Sequence, residues 1–361
     1  MKNERIDPWG SIEIKDYSNV FKEFGLKPFP EEYRKNLNHL AFRRKIVIAH
    51  RDFEKVYNRI MNKKPFINMT GIASSGYLHM GHKAVIDLFI FFKNCGAKNL
   101  FGICDIDAYT SRKKIPDLKT AKEFAVSNLA DVLALGLTKN DVYIQSKKEQ
   151  RYYEFTFELS KKITGATFQA IYGTLDLGKV SANLLQYADI LHGQLKEYCG
   201  KMPSITAIAI EQDPHIRAVR DVAKRLPYDM ELPSSIYITH QPGLKEGMKM
   251  SSSVPDTAIF LRDKPEVAKK KILNSFTGGK DTVEEQKKTG GNPDICKVYN
   301  IFKFHHPDDK QVEDIYKNCK SGSLMCGNCK KICIKFVEEF LKEHQKKYKK
   351  FEPVARKMVF G

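Results

Sequence analysis

Pro65-Phe66-Ile67-Asn68-Met69-Thr70-Gly71 leads into Ser74-Ser75-Gly76-Tyr77-Leu78-His79-Met80-Gly81-His82, then an apolar stretch from about Lys83 to Asn94, then Asn99-Leu100-Phe101-Gly102-Ile103-Cys104-Asp105. The first run reads as a strand entering a turn. The second is a small, glycine-containing turn that ends where a helix starts, the third is that helix, and the fourth is a short buried strand ending in an acidic loop. Strand, helix and strand in that order make a βαβ unit, and ligands in such folds bind at the carboxyl ends of the strands.

Working outward, Ser204-Ile205-Thr206-Ala207-Ile208-Ala209-Ile210 is a further strand, followed by the polar Glu211-Gln212-Asp213. The region from about Arg112 to Lys201 is mostly helical by periodicity and reads as an insertion. After Pro255 the pattern is helical and charged, punctuated by Phe276-Thr277-Gly278-Gly279-Lys280 and Gly290-Gly291-Asn292-Pro293 as loops. The expected fold is α/β, with three parts. Residues 1–60 form a basic N-terminal extension, with an amphipathic stretch from Pro30 to about Ile60. Residues 61–255 form a Rossmann-type nucleotide-binding domain with its helical insertion at about 112–200. Residues 256–361 form an all-helical C-terminal domain.

The chain has 361 residues, enough for two or three domains. Its 61 basic and 43 acidic side chains leave a net charge of +18, which suits a polyanionic partner. The five lysines between Leu341 and Lys350 are consistent with RNA contact or with a solvated helix face. No run of 18 apolar residues exists, and Met1-Lys2-Asn3-Glu4-Arg5-Ile6-Asp7 lacks the apolar stretch of a signal peptide, so the expectation is a cytoplasmic protein with no membrane partner.

About 170 residues beyond the His-x-Gly-His turn stands Lys249-Met250-Ser251-Ser252-Ser253, a lysine and three hydroxyls in a loop rich in glycine and methionine. Each motif alone has an ordinary reading, as surface histidines on a turn and as a solvated linker. Their order and separation, with a nucleotide-fold pattern between them, favour one shared site. Together they resemble the HIGH and KMSKS signatures of the class I aminoacyl-tRNA synthetases. That resemblance implies ATP-binding at Gly76, His79, Gly81, His82, Lys249, Met250, Ser251, Ser252 and Ser253, with His79, His82 and Lys249 catalytic and Mg2+ accompanying ATP. A helix N-terminus offers unpaired N–H groups to phosphate, and Gly81 lets a nucleotide approach the backbone. Ala73 stands where the family usually has proline, and Ser252 where many members carry a second lysine, which places more phosphate charge on Lys249.

Most of the chain resembles tryptophanyl-tRNA synthetases of the archaeal and eukaryotic type. The resemblance runs from Asp7-Pro8-Trp9 through His50-Arg51-Asp52 and the two signatures to Gln212-Asp213-Pro214-His215-Ile216-Arg217, Thr277-Gly278-Gly279-Lys280-Asp281 and Gly290-Gly291-Asn292-Pro293-Asp294. It implies L-tryptophan and tRNA(Trp) as substrates and a homodimer. Gln186-Tyr187-Ala188-Asp189-Ile190-Leu191 looks like the pocket helix of the tryptophan and tyrosine enzymes. On that match Asp189 accepts the side-chain donor, while Gln186 and Gln212 hold the ammonium or carboxylate. An indole is a donor only, which a buried carboxylate suits, although a tyrosine hydroxyl could satisfy the same acceptor. The positions where eukaryotic enzymes read the indole with tyrosine and glutamine align with Met69 and Ile103.

Cys296, Cys319, Cys326 and Cys329 have the spacing C-x22-C-x6-C-x2-C, and hold half of the chain's eight cysteines within 34 residues. Thiolates are soft ligands, so zinc and iron–sulfur clusters are the candidates. The spacing resembles the motif that holds a [4Fe-4S] cluster in a subset of tryptophanyl-tRNA synthetases, with Zn2+ as the alternative. Competing readings of the whole chain are a tyrosyl-tRNA synthetase, a non-catalytic RNA-binding paralogue, and a nucleotidyltransferase of the same superfold. The last has no reason to carry the C-terminal helices.

Overall fold

The computed structural model describes residues 21, 22 and 24–361, so Asp7-Pro8-Trp9 lies outside the described residues. Seven strands make one sheet: β1 (Lys27–Pro28), β2 (Val47–Arg51), β3 (Ile67–Ala73), β4 (Lys98–Cys104), β5 (Val142–Ile144), β6 (Ser204–Ala209) and β7 (Ser234–Ile238). Their order is β1-β2-β7-β6-β3-β4-β5. The five strands from β7 to β5 run parallel, and β1 and β2 add an antiparallel edge. The segment read as an extension therefore feeds the same sheet from Lys27 onward. The stretch read as helical insertion also contributes β5, too short at three residues to show a period.

The helices that matter for the site are α1 (Met80–Asn94), α2 (Asp105–Ser111), α3 (Leu118–Leu135), α4 (Gln150–Ser160), α5 (Leu177–Leu191) and α6 (Asp213–Ala223). Beyond the sheet come α7 (Lys297–His305), α8 (Asp309–Lys320) and the 35-residue α9 (Cys326–Phe360). Local chemistry sets their ends. Asp117 caps α3 by accepting from the Thr120 amide at 2.6 Å, and Gly136 at φ +124° ends it. The largest helix-on-helix contact is α3 against α9, and it encloses a His344–Asp131 hydrogen bond of 2.8 Å. Arg44 ties the N-terminal part to the far end. Its guanidinium donates to the carbonyls of Phe302, Lys303 and His306, the orphan acceptors at the end of α7.

Sheet register creates the crevice. β3 pairs with β4 over seven residues, Ile67 to Ala73, but with β6 only at Ile67 and Asn68. Beyond Asn68 the two strands part. This is also where strand order reverses, with β4 and β5 on one side of β3 and β6 and β7 on the other, the position at which parallel sheets bind ligands.

Candidate active site

Two contiguous cavities fill the parting. One, of about 470 Å3, lies over the start of α1 and beneath the lysine loop. The other, of about 390 Å3, descends between β3 and β6 to α5. Both volumes fall in the range of small-molecule sites. His82, Arg112 and Gln212 line both and so mark the junction.

The turn before α1 is built by its own histidines. His79 is the N-cap residue, and its Nδ1 accepts from the Gly81 amide at 3.1 Å. His82 Nδ1 accepts in turn from the His79 amide at 3.2 Å, a reciprocal cap. The rings lie 3.9 Å apart. Burial pushes both down, His82 to about 4 and His79 well below the ordinary value, so both rings are neutral at pH 7. With Nδ1 accepting, the proton of each ring is on Nε2, leaving that N–H as the donor to a ligand. A side chain on Gly81 would press on the His79 ring, its Cβ 3.0 Å from Cε1.

The lysine loop folds over this turn. Gly243 accepts no side chain, because a Cβ there would stand 2.8 Å from the Met248 carbonyl, and the chain reverses at Gly247 with φ +70°. Pro242 then bridges to Lys249, and Ser252 Oγ donates to the Tyr77 carbonyl at 3.2 Å. Lys249 Nζ rests 3.3 Å from Glu211 Oε1, which also receives His240 Nε2 at 2.5 Å. Burial works against the Glu211 charge, but His240 and Lys249 outweigh it and hold the carboxyl below its usual range.

Three cations that the motifs do not reveal enter the first cavity from the loop after α2: Arg112, Lys113 and Lys114. Arg112 Nε is buried with no hydrogen-bond partner among the described residues. A Cβ built on Gly76 would stand 3.4 Å from the Ser252 Cβ and 3.8 Å from Lys114 Nζ, so both side chains lie close to this glycine. Burial, with Arg112 nearby, pushes the Lys114 ammonium down.

At the bottom of the second cavity Asp189 is wholly buried on α5. Tyr143 and Tyr152 hydroxyls donate to its Oδ1 at 2.7 and 2.6 Å, and Gln145 Nε2 donates to Oδ2 at 3.0 Å. Burial pushes the carboxyl up to about 6 against the pull of these donors. Gly102 makes room for the Tyr143 ring, whose hydroxyl would lie 2.8 Å from a Cβ on that glycine. Gln186, Gln212 and Met69 line the cavity. Ile103 does not. It packs in the core with Phe89, Leu129 and Ile144, and the next residue, Cys104, faces the cavity, because neighbouring strand residues point to opposite faces.

Of the expected nucleotide residues, His79, Gly81, His82, Lys249, Met250, Ser251, Ser252 and Ser253 all line the first cavity, and Gly76 lies beside Ser252. The four cysteines converge some way off. Cys296 at the start of α7, Cys319 near the end of α8, and Cys326 and Cys329 in the first turn of α9 line one small cavity with Thr277 and Gly278. Burial and then the neighbouring sulfurs push Cys319 up to about 11 and Cys329 to about 12. The expected metal centre is not formed as such. All four thiols are free, and among the described residues no three His, Cys, Asp or Glu side chains are arranged to hold an ion. The donor set nonetheless suits a thiophilic centre, four sulfurs around one space with glycines pressed close. A Cβ on Gly279 would stand 2.7 Å from the Cys326 sulfur, and one on Gly291 3.0 Å from that of Cys319.

The family of tRNA synthetases class I (W and Y) matches residues 61–342. A tryptophan–tRNA ligase of Aeropyrum pernix is 40% identical over 99% of each chain, and one of Methanocaldococcus jannaschii is 40% identical over 100% of each. The crystal structure of the Aeropyrum pernix tryptophanyl-tRNA synthetase superposes with a TM-score of 0.89 at 39% identity, covering 98% of both chains.

Proposed function

The chain belongs to the class I tRNA synthetases of the tryptophan and tyrosine group, and from that premise we infer how its crevice carries out tryptophan–tRNA ligation. It activates L-tryptophan with ATP to tryptophanyl-adenylate and transfers tryptophan to tRNA(Trp). The observation that carries the residue-level reading is the junction of the two cavities. A cation-lined space for a triphosphate opens directly onto a buried acceptor suited to an indole, and the tryptophan carboxylate meets the α-phosphate where they join.

The carboxylate is itself the nucleophile, so no general base is needed, and positioning and charge neutralisation carry the rate. The Nε2–H groups of His79 and His82 face the phosphates as neutral donors. Lys249 exchanges Glu211 for the triphosphate, and Ser251, Ser252 and Ser253 add hydroxyl or backbone donors. Arg112 meets the α-phosphate at the junction, and Lys114 attends the departing pyrophosphate beside Ser252. Mg2+ enters with ATP. Asp189 accepts the indole N–H, and Gln186 and Gln212 hold the amino acid's ammonium and carboxylate. Each preorganised donor of this kind supplies roughly 3 kcal/mol of barrier reduction.

Residues 61–255 with their insertion serve as the catalytic part, and 256–361 meet the tRNA anticodon through the lysine-rich α9. Two copies form a dimer, and the protein works in the cytoplasm. Among the described residues no helix is long and apolar enough to cross a membrane. Cys296, Cys319, Cys326 and Cys329 would hold a [4Fe-4S] cluster or, alternatively, Zn2+, which when bound would pin three helical segments together. The test is ATP–pyrophosphate exchange with each of the twenty amino acids. Tryptophan alone should support exchange. Exchange with tyrosine instead, or silence in folded protein, would overturn the reading.

A further inference from the structure

The Asp189 carboxylate is held from behind by residues that do not line the substrate cavity. Tyr143 lies on β5, Gln145 one residue past it and Tyr152 on α4, yet all three donate to this one group. They are locked in turn, since Tyr153 donates to the Gln145 carbonyl at 2.6 Å. Lys148 Nζ sits over the faces of the Tyr143 and Tyr152 rings at 5.2 and 5.7 Å, attracting both. The two tyrosines occupy both lone pairs of Oδ1. On Oδ2, Gln145 takes one, and among the described residues the other faces only the Cys104 thiol, a weak donor at 3.7 Å. Cys104 and Asp189 both line the cavity.

We propose that Tyr143, Tyr152 and Gln145 are positioning residues for tryptophan selection, leaving one open lone pair, on Oδ2 beside Cys104, for the indole N–H. This rests on the reading of Asp189 given above. The arrangement favours an indole over a phenol on hydrogen-bond count. An indole brings one donor and nothing to satisfy. A phenol hydroxyl can donate to the same lone pair, but its oxygen then lies buried beside hydroxyl and amide donors already committed to Asp189, and an unpaired buried acceptor is costly.

The clamp also keeps the carboxylate charged. Burial raises Asp189, the hydrogen bonds from Tyr152 and Tyr143 lower it, and the like charge of Asp107 on α2 raises it. The other titratable or charged groups near it are Cys104, Tyr153, Lys148 behind the tyrosine rings, and His192, whose Nδ1 lies 3.0 Å from the Asp189 carbonyl, with Arg112 and His215 lining the same cavity. Removing either tyrosine donor therefore moves the carboxyl further up.

The experiment measures kcat/KM for tryptophan by pyrophosphate exchange from pH 5 to 9, with ATP KM as the control for folding. Wild type should lose kcat/KM as pH falls through about 6. Tyr143→Phe and Tyr152→Phe should each raise tryptophan KM roughly tenfold at pH 7.5, with ATP KM unchanged, and shift the acid limb to higher pH. Asp189→Asn should lack that limb. A tryptophan KM and an acid limb that stay at wild-type values in both tyrosine variants, or a limb that persists in Asp189→Asn, would overturn the proposal. Failure of the underlying reading looks different: Asp189→Ala would then leave tryptophan KM unchanged.

Discussion

The two halves of the crevice solve opposite problems. Over α1, the groups facing the cavity are cations and donors with little else to hold: among the described residues Arg112 Nε has no hydrogen-bond partner, and Lys249 leans on one carboxylate at 3.3 Å. Around Asp189 the donors are all spent, three of them on one buried carboxylate. A triphosphate arrives with several charges, rearranges and leaves as pyrophosphate, so its half must keep donors uncommitted. An indole offers one N–H, and a half that reads it must have its own polar groups satisfied, or water would compete. On the proposed reading, uncommitted donors drive the reaction and committed ones choose the substrate.

Breaking the phosphate half should have the largest effect. Lys249→Ala is expected to lower kcat of pyrophosphate exchange by roughly 100-fold or more while leaving tryptophan KM near wild type, since it removes a cation that acts on developing charge. Next comes the indole half. Asp189→Ala should raise tryptophan KM by about 10- to 100-fold with ATP KM little changed, as expected for loss of one hydrogen bond to a charged acceptor. Steady-state exchange at varied tryptophan and ATP separates the two signatures.

Smaller effects sharpen the contrast. Glu211→Gln removes the anion on which Lys249 rests, so ATP should bind more tightly, with KM for ATP falling about threefold at low salt. A rise in ATP KM would mean that Glu211 orients the lysine for the reaction rather than competing with ATP for it. Far from both halves, Cys326→Ser should leave exchange within about twofold of wild type while weakening aminoacylation of tRNA, read from the ratio of the two rates. Loss of both together would assign the cysteine cluster a role in global folding.

Much of the first cavity's lining was legible in sequence because its residues lie in two short motifs. His79 to His82 also form one helix cap, and the cap and the cavity lining are the same piece of backbone. The βαβ unit was readable for a similar reason: β3, α1 and β4 are continuous apolar runs of ordinary length. The clamp on Asp189 was not readable. Tyr143, Gln145 and Tyr152 are 37 to 46 residues from it in the chain and look like ordinary residues of a helical insertion. Glu211 with His240, and Arg112 with Lys114, were hidden in the same way, since only folding brings each pair to the site. β1 and β2 were missed because only antiparallel pairing, of β1 with β2 and of β2 with β7, gives meaning to strands of two and five residues. Ile103, expected at an indole-reading position, packs in the core while Cys104 lines the cavity, because in a strand one residue changes the face.

The most direct test of the division is a double-mutant cycle on kcat/KM for tryptophan in pyrophosphate exchange, using Lys249→Ala, Asp189→Ala and the pair. If the two halves act separately, the free-energy losses add, with a coupling within about 0.5 kcal/mol. A coupling above about 1.4 kcal/mol, a tenfold departure from additivity, would contradict the account and make the crevice a single cooperative unit.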